Sequence, residues 1–313
     1  MEILFDIDKT IELPECAATI GVFDGVHAGH QLIINQMLTD AQFYGYKSMV
    51  ITFDRQPREL FDTNYQPQLL TTLDEKKQLL EACGVDYVVV LPFTMELAQL
   101  SARDFMHQVL SLRLHVKLLR LGYDNRFGRG RTEGFEDYER YGEEIGMKVF
   151  QGIPLSYQGF DEPVSSSLIR RLVADKGAMN WAATMLTRPY QLAGRVMPGE
   201  HIGHTLGFPT ANMEPEDVNK LIPVSGVYAV WAMTEDGQRY RAMMNIGTRP
   251  TFEGQKTTLE VNIFGFDGNL YGKRLTVCFV ERLREERRFE SPEALIAQLE
   301  IDKKHVEQIL NPK

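Results

Sequence analysis

The chain has 313 residues, 43% of them hydrophobic and 25% charged, with a formal net charge of −9 at pH 7. That length holds one large or two ordinary domains with real cores, and the composition is that of a globular, soluble protein. The acidic balance speaks against a broad nucleic-acid or membrane surface and leaves phosphorylated small molecules, which need only a local group of donors.

Arg120, Arg126, Arg129 and Arg131 form one such basic stretch. Cys16, Cys83 and Cys278 have no metal-ligand spacing and cannot all pair, so reduced thiols in a cytoplasmic protein are expected. Met1 to Leu13 is acidic and lacks the regions of a signal peptide, and no apolar run approaches membrane-spanning length.

From Thr19 to about Lys176, strand-like and helix-like segments alternate. The strand candidates are Thr19–Phe23, Ser48–Phe53, Tyr87–Leu91, Val116–Leu121 and Met147–Phe150, short and apolar on both faces as buried parallel strands are. Helical patterns lie at Gln31–Tyr44, Leu73–Cys83, Ala102–Leu112 and Phe135–Ile145, with Thr72 and Ser101 as N-caps. This alternation predicts a doubly wound parallel sheet. After a helical stretch at Leu168–Leu186, the rhythm changes to consecutive strand-like runs: Tyr190–Val196, Gly226–Met233, Arg239–Asn245, Thr258–Phe264 and Leu275–Arg282. Strands without intervening helices predict a small antiparallel β-barrel, closed by a helix from Ser291-Pro292 through Leu310. The expected fold class is α/β followed by β, with domains 1–186 and 187–313.

Chemistry concentrates first in Gly21-Val22-Phe23-Asp24-Gly25-Val26-His27-Ala28-Gly29-His30. An apolar strand ends in a glycine-containing turn, two histidines follow with H-x-G-H spacing, and a helix opens behind them. This places both imidazoles at the ligand edge of an open α/β sheet, beside a helix N-terminus suited to a phosphate chain. Gly29 allows close backbone approach. At the far end of the same domain, Ser165-Ser166-Ser167 opens a helix with Arg170 in its first turn, a second phosphate-type element. Seen singly, each element also fits a structural pair of histidines or a serine N-cap.

In the second domain, Thr210 and Asn212 are two apart: they fit a plain turn after Pro209, or an extended segment in which two neutral oxygens face one side and suit a Mg²⁺ already held by ATP. Glu260 sits among Leu259, Val261 and Ile263, either an outward-facing residue or a working base. Asn245-Ile246-Gly247-Thr248-Arg249-Pro250 leaves a strand into a glycine-containing loop.

Together, GVFDGVHAGHQ at 21–31, TFD at 52–54, Gly122-Tyr123-Asp124 with Arg126-Phe127-Gly128, and SSSLIR at 165–170 resemble the H-x-G-H nucleotidyltransferase superfamily. More narrowly they resemble the adenylyltransferase domain of the bacterial bifunctional riboflavin kinase/FAD synthetase family. Gly194 with Val196, GFPTAN at 207–212, NIGTRPTF at 245–252 and Leu259-Glu260-Val261 resemble the riboflavin kinase domain of that family. Arg55-Gln56-Pro57 stands where the family usually has Pro-His-Pro, Asn125 where it has Phe, and Ser167 where it has Thr.

The resemblance implies roles. Gly21, Phe23, Asp24, Gly29, Ser165, Ser166 and Ser167 would hold ATP, with His27, His30 and Arg170 stabilising the transferring phosphates. Asp54, Asp124, Asn125, Arg126, Asn245 and Arg249 would meet the flavin. Thr210 and Asn212 would hold Mg²⁺, Glu260 would be the base, and Gly199, His204 and Gly207 would belong to the loop over the kinase ATP. The tetrapeptide His201-Ile202-Gly203-His204 falls in that loop, with Pro209 close behind it and no apolar strand before it. The implied function is flavin-cofactor synthesis: riboflavin and ATP give FMN, then FMN and ATP give FAD and pyrophosphate. The implied partners are these small molecules and Mg²⁺, with no nucleic acid and no membrane. Two alternatives stay open: a riboflavin kinase with an impaired adenylyltransferase domain, and a flavin-binding regulator without turnover.

Overall fold

The computed structural model describes residues 1–5, 13–198, 207–251 and 254–311; of residues 249–251 and 254–256 only the main chain is described. The chain divides into two compact units, Met1–Ser166 and Ser167–Lys313. The division falls twenty residues before the boundary expected at 186, and the stretch from Gly177 to Leu186 packs on barrel strands.

The first unit runs β1 (Glu2–Leu4), β2 (Cys16–Ile20), α1 (Ala28–Tyr44), β3 (Lys47–Phe53), α2 (Pro57–Phe61), α3 (Leu73–Ala82), β4 (Tyr87–Leu91), α4 (Met95–Gln99), α5 (Ala102–Asp104), β5 (Val116–Leu121), α6 (Phe135–Ile145) and β6 (Lys148–Gln151). The helix begun by α5 continues with π-type bonding through Phe105–Arg113, and Leu114 N–H donates to Val109 O five residues back. The six strands form one sheet in the order β1-β4-β3-β2-β5-β6, every pair parallel. Successive strand residues feed opposite faces. Ala18, Ile20, Met49 and Ile51 pack with Phe105 and Met106 on one side, while Ala17 and Val50 pack with Ile34, Met37 and Leu80 on the other. Strand order reverses on either side of β2, so the loops after β2 and β5 part there and leave the crevice in which such sheets bind ligands. The doubly wound sheet is therefore present as expected. β2 begins and ends earlier than the sequence pattern indicated, because Phe23, at φ 51°, has already left the strand.

In the second unit α7 (Ser166–Arg171) leads through a π-type turn to Gly177, where left-handed backbone (φ 60°) ends the helix. The helical run expected over Leu168–Leu186 is thus broken in two, with α8 (Met179–Leu186) following. A Cβ on Gly177 would sit 2.5 Å from Arg282 Cδ, so that side chain occupies the place of a longer residue. β7 (Tyr190–Met197), β8 (Ala211–Pro215), β9 (Gly226–Thr234), β10 (Arg239–Thr251), β11 (Gly254–Ile263) and β12 (Arg274–Arg284) close into an antiparallel barrel in the order β10-β11-β8-β7-β12-β9. α9 (Pro292–Leu310), capped by the Ser291 side chain accepting from Ala294 N–H, lays Val306 and Leu310 on Ala229 and Met243 of the barrel wall. β8, like β1 of the first unit, is a strand the sequence pattern did not reveal. Ala211-Asn212-Met213-Glu214-Pro215 has little strand propensity of its own and owes its form to β7 and β11 on either side.

None of the three cysteines forms a disulfide, and burial, with the Asp86 charge adding, pushes the Cys16 thiol up to about 12. It is no nucleophile.

Candidate active sites

The turn after β2 is built under strain. Phe23, Gly25 and Val26 all have positive φ (51°, 85° and 38°), an unusual backbone for β-branched Val26, which is nonetheless 1% exposed. His27 caps α1: its Nδ1 accepts from His30 N–H at 3.3 Å. A neutral His27 therefore carries its proton on Nε2 and presents a donor on the other side of the ring. The His27 and His30 rings stack at 3.6 Å between centroids, and Phe23 meets His30 edge-on at 5.0 Å. Burial, then His27, then Lys76 lower the His30 pKa well below the usual histidine value, so this imidazole is neutral at pH 7. Its Nδ1 is buried without a hydrogen-bond partner, which leaves one ring atom for a ligand.

Around this turn lies a set of long-range bonds. The Asp24 carboxylate, 4% exposed, accepts from Leu70 N–H (3.1 Å), Thr71 N–H (2.9 Å) and the Thr71 hydroxyl (3.2 Å), and Gly25 N–H donates to Thr71 Oγ1 (2.9 Å). Asp24 thus braces the turn with its side chain, while its carbonyl accepts from Ser166 Oγ (2.8 Å) at the start of α7. A Cβ on Gly29 would lie 3.2 Å from the His27 ring and 3.4 Å from Val164 O, so the two phosphate-type elements of the sequence do meet. Ser165 is partly buried beside Ser166, Ser167 is exposed, and Arg170 stands further along the same helix. Gly21 N–H donates to Ile51 O at 3.0 Å, tying β2 to β3. Asn125 Nδ2 donates to Ile20 O (2.5 Å), which joins the loop after β5 to the end of β2 across the crevice.

Asp124, Asn125 and Arg126 line one cavity of about 350 Å³ with Tyr123, Phe135 and Tyr138. Tyr138 fixes this loop: Phe127 N–H donates to its hydroxyl (3.0 Å), the hydroxyl donates to Phe127 O (3.2 Å), and the two rings stack at 4.4 Å. Gly128 (φ 86°) passes so close to α5 that a Cβ would sit 2.5 Å from Ala102 N. Asp54 is outside that lining and accepts from Phe93 N–H (2.8 Å), clamping the ends of β3 and β4. The basic stretch does not act as one group. Arg120 is paired with Asp40 (2.5 Å), and Arg131 donates to Arg126 O.

On the barrel the register makes the site. In β11, Glu260 stands directly across from Asn212 of β8 on one side and Asn245 of β10 on the other. Leu259 and Val261 are buried, and Glu260 between them is half-exposed, as are Asn212 and Asn245. The three side chains share one face of three neighbouring strands, within reach of a common ligand. Asn262, two residues on, donates to Pro209 O (2.6 Å) and so holds the segment carrying Thr210 against β11. Gly194 lets β8 close on β7: a Cβ there would lie 2.6 Å from Met213 Cγ and would also strike Glu214 O. At Gly247 a Cβ would lie 2.5 Å from Glu286 Oε1, so glycine leaves room for that carboxylate. Gly207 has φ 79°. Gly199 and the tetrapeptide ending at His204 lie outside the described residues, as does the side chain of Arg249.

The family model for FAD synthetase matches residues 9–168, and that for riboflavin kinase matches residues 186–310. The chain is 36% identical to the bifunctional riboflavin kinase/FMN adenylyltransferase of Escherichia coli (strain K12), over 96% of each protein. This chain belongs to the bifunctional riboflavin kinase/FMN adenylyltransferase family. The Pseudomonas fluorescens member is 38% identical over 92% of this chain and 90% of its own, and that of Listeria monocytogenes 33% over 95% and 91%. A solved structure described as a macrolide-efflux protein from Streptococcus pneumoniae superposes with a TM-score of 0.88 at 29% identity, covering 97% of this chain and 98% of that one. Among the described residues of the present chain no helix is long and apolar enough to cross a membrane.

Three residues of this family member escape sequence reasoning. Thr71 sits at the heart of the Asp24 bonding, yet it reads as a residue before a helix cap. Gln56 fills the place of the usual family histidine, accepts from Tyr65 OH (2.9 Å), and keeps Nε2 buried without a partner. Lys76 reads as a solvated lysine on a helix, and it is buried beneath the turn after β2. Only Gln56 carried a local signal, its departure from Pro-His-Pro.

Proposed function

We propose that adenylyl transfer to FMN takes place at the crevice between the ends of β2 and β5, and riboflavin phosphorylation on the barrel face that carries Asn212, Glu260 and Asn245. In the first site His27 donates from Nε2 and His30 offers its unpartnered Nδ1 to the triphosphate of ATP, while the free N–H groups of α1 face the same anion. Ser165 holds a further phosphate oxygen, while the Ser166 hydroxyl, its one proton given to Asp24 O, fixes the start of α7 against the turn. The FMN phosphate attacks the α-phosphorus and pyrophosphate leaves. The nucleophile is already an anion, so alignment and charge stabilisation carry the rate and no strong base is needed. The cavity of Asp124, Asn125 and Arg126 receives the flavin.

In the second site the attacking group is the neutral 5′-hydroxyl of riboflavin, which gains from a base. Glu260 takes its proton as the γ-phosphoryl group is transferred. Among the described residues no group of three or more His, Cys, Asp or Glu side chains is placed to hold a metal. Thr210 and Asn212 supply neutral oxygens instead, a donor set that fits Mg²⁺ bound chiefly by phosphates and water. When bound, Mg²⁺ neutralises phosphate charge. Asn245 and Arg249 contact the flavin, Gly199, His204 and Gly207 cover the ATP, and the setting is cytoplasmic.

The observation that carries the reading is the register setting Glu260 opposite both Asn212 and Asn245 on one fold, with the stacked histidine pair on the other. Purified protein with Mg-ATP and riboflavin should form FMN and then FAD. FMN without FAD would remove the first site, and FAD made only from supplied FMN would remove the second.

A further inference from the structure

Lys76, in the first turn of α3, is 7% exposed, and none of the roles above uses it. Its Nζ donates to Val22 O (3.1 Å), Thr52 Oγ1 (3.1 Å) and Phe53 O (3.2 Å). An ammonium has three protons, so each finds one acceptor. The acceptors belong to two separate strand ends. Val22 lies in the turn that leads to His27, and Thr52 and Phe53 close β3 immediately before Asp54. The Thr52 hydroxyl in turn donates to Val22 O (3.1 Å), so ammonium, hydroxyl and carbonyl form a closed cluster under the phosphate turn.

A desolvated ammonium opposes folding, and its three hydrogen bonds offset that cost only in part. Stability alone therefore does not account for a lysine here. Its surroundings do. The charge faces Asp24 and His30 on the β2–α1 side, with His27 stacked on His30, and Asp54 at the end of β3.

We infer that Lys76 is a positioning residue for adenylyl transfer: it ties the turn after β2 to the end of β3 and sets a fixed positive charge behind the histidine pair that meets the triphosphate. It acts through the Val22–His27 turn and through His30, and its three protons are spent on protein oxygens. The inference rests on the assignment of adenylyl transfer to the first unit. Burial, opposed by Asp24 and then Asp54, lowers Lys76 from the usual lysine value to about 8. The neutral amine has only two protons, so its formation leaves one of the three oxygens unpaired and removes the charge. FAD formation should accordingly fall as pH rises through about 8.

The test uses the full chain and its Lys76→Met and Lys76→Arg variants, with FAD formation from FMN followed from about pH 6.5 to 9.5 at several ATP concentrations. Riboflavin phosphorylation in the same samples reports on the second unit. Lys76→Met should lower kcat for FAD formation about 10-fold or more, with a smaller change in the KM for ATP and unchanged riboflavin phosphorylation. Lys76→Arg should recover most of the rate near neutrality and keep it at the alkaline end, because guanidinium stays charged there. Should Lys76→Met fail to fold its first unit, the alkaline limb of Lys76→Arg decides. A wild-type rate flat to the alkaline end, an arginine variant with the wild-type limb, or a methionine variant with wild-type kcat each overturns the inference. Absence of FAD from the wild type itself would instead overturn the assignment on which it rests.

Discussion

At the edge of the parallel sheet the groups proposed to act on the triphosphate stand on turns. Their geometry is held by positive-φ backbone at Phe23, Gly25 and Val26, and by bonds from Thr71, Lys76, Asn125 and Ser166, residues far away in the chain. On the barrel they stand on the strands themselves, and Glu260 is brought to Asn212 and Asn245 by cross-strand register alone. The difference matches the chemistry proposed for each site. FMN brings its own negative charge, so the first site needs donors and fixed positive charge around a curved anion, which a strained turn at a helix N-terminus supplies. Riboflavin brings a neutral alcohol, so the second gains from one carboxylate held at a defined place, and Glu260, proposed for that role, is held by a rigid sheet.

The sharpest way to break the contrast is Glu260→Gln. It should lower riboflavin phosphorylation about 10²–10⁴-fold while FAD still forms from supplied FMN; an unchanged kinase rate takes Glu260 out of its role. Next is His30→Ala, expected to reduce FAD formation about 10²–10³-fold and to spare phosphorylation, as measured by product chromatography on the same sample. Equal loss of both activities would show that the sites are not separable.

Smaller effects test how each site is held. Gly194→Ala forces a methyl into β8 and should destabilise the barrel by about 1–3 kcal/mol. Thermal unfolding should report this together with weaker riboflavin phosphorylation, and a neutral outcome would mean that β8 has room to move. Least of all, Tyr138→Phe removes the hydroxyl that holds Phe127 and should cost about 1 kcal/mol, visible as a few-fold higher KM for FMN with kcat retained. A rise in the KM for riboflavin instead would detach the cavity of Asp124–Arg126 from FMN.

Much of this was legible along the chain. β4 and β5 and helix α6 fall where periodicity puts them, and Ser291-Pro292 marks the start of α9, because period, caps and proline act within a turn or two of the residue concerned. Illegible were β8, which lacks apolar alternation, and the end of α7 at Gly177, where Arg282 of a distant strand takes the space of a side chain. Arg120 misled, since its partner Asp40 lies eighty residues earlier.

The sequence by itself determined the two fold types and the family, and its local motifs single out the residues proposed for the two sites: His27, His30, Ser165, Ser166, Thr210, Asn212 and Glu260. Those signals are short-range, a histidine spacing before a helix or a carboxylate within an apolar run. Only the tertiary structure decided how the residues are held: Asp24 turned to Thr71, Asn125 reaching the end of β2, Lys76 buried between two strand ends, Glu260 set between two asparagines. Each is a hydrogen bond or pairing between residues distant in sequence. Its existence depends on which strands become neighbours, and no local pattern of residue types carries that information.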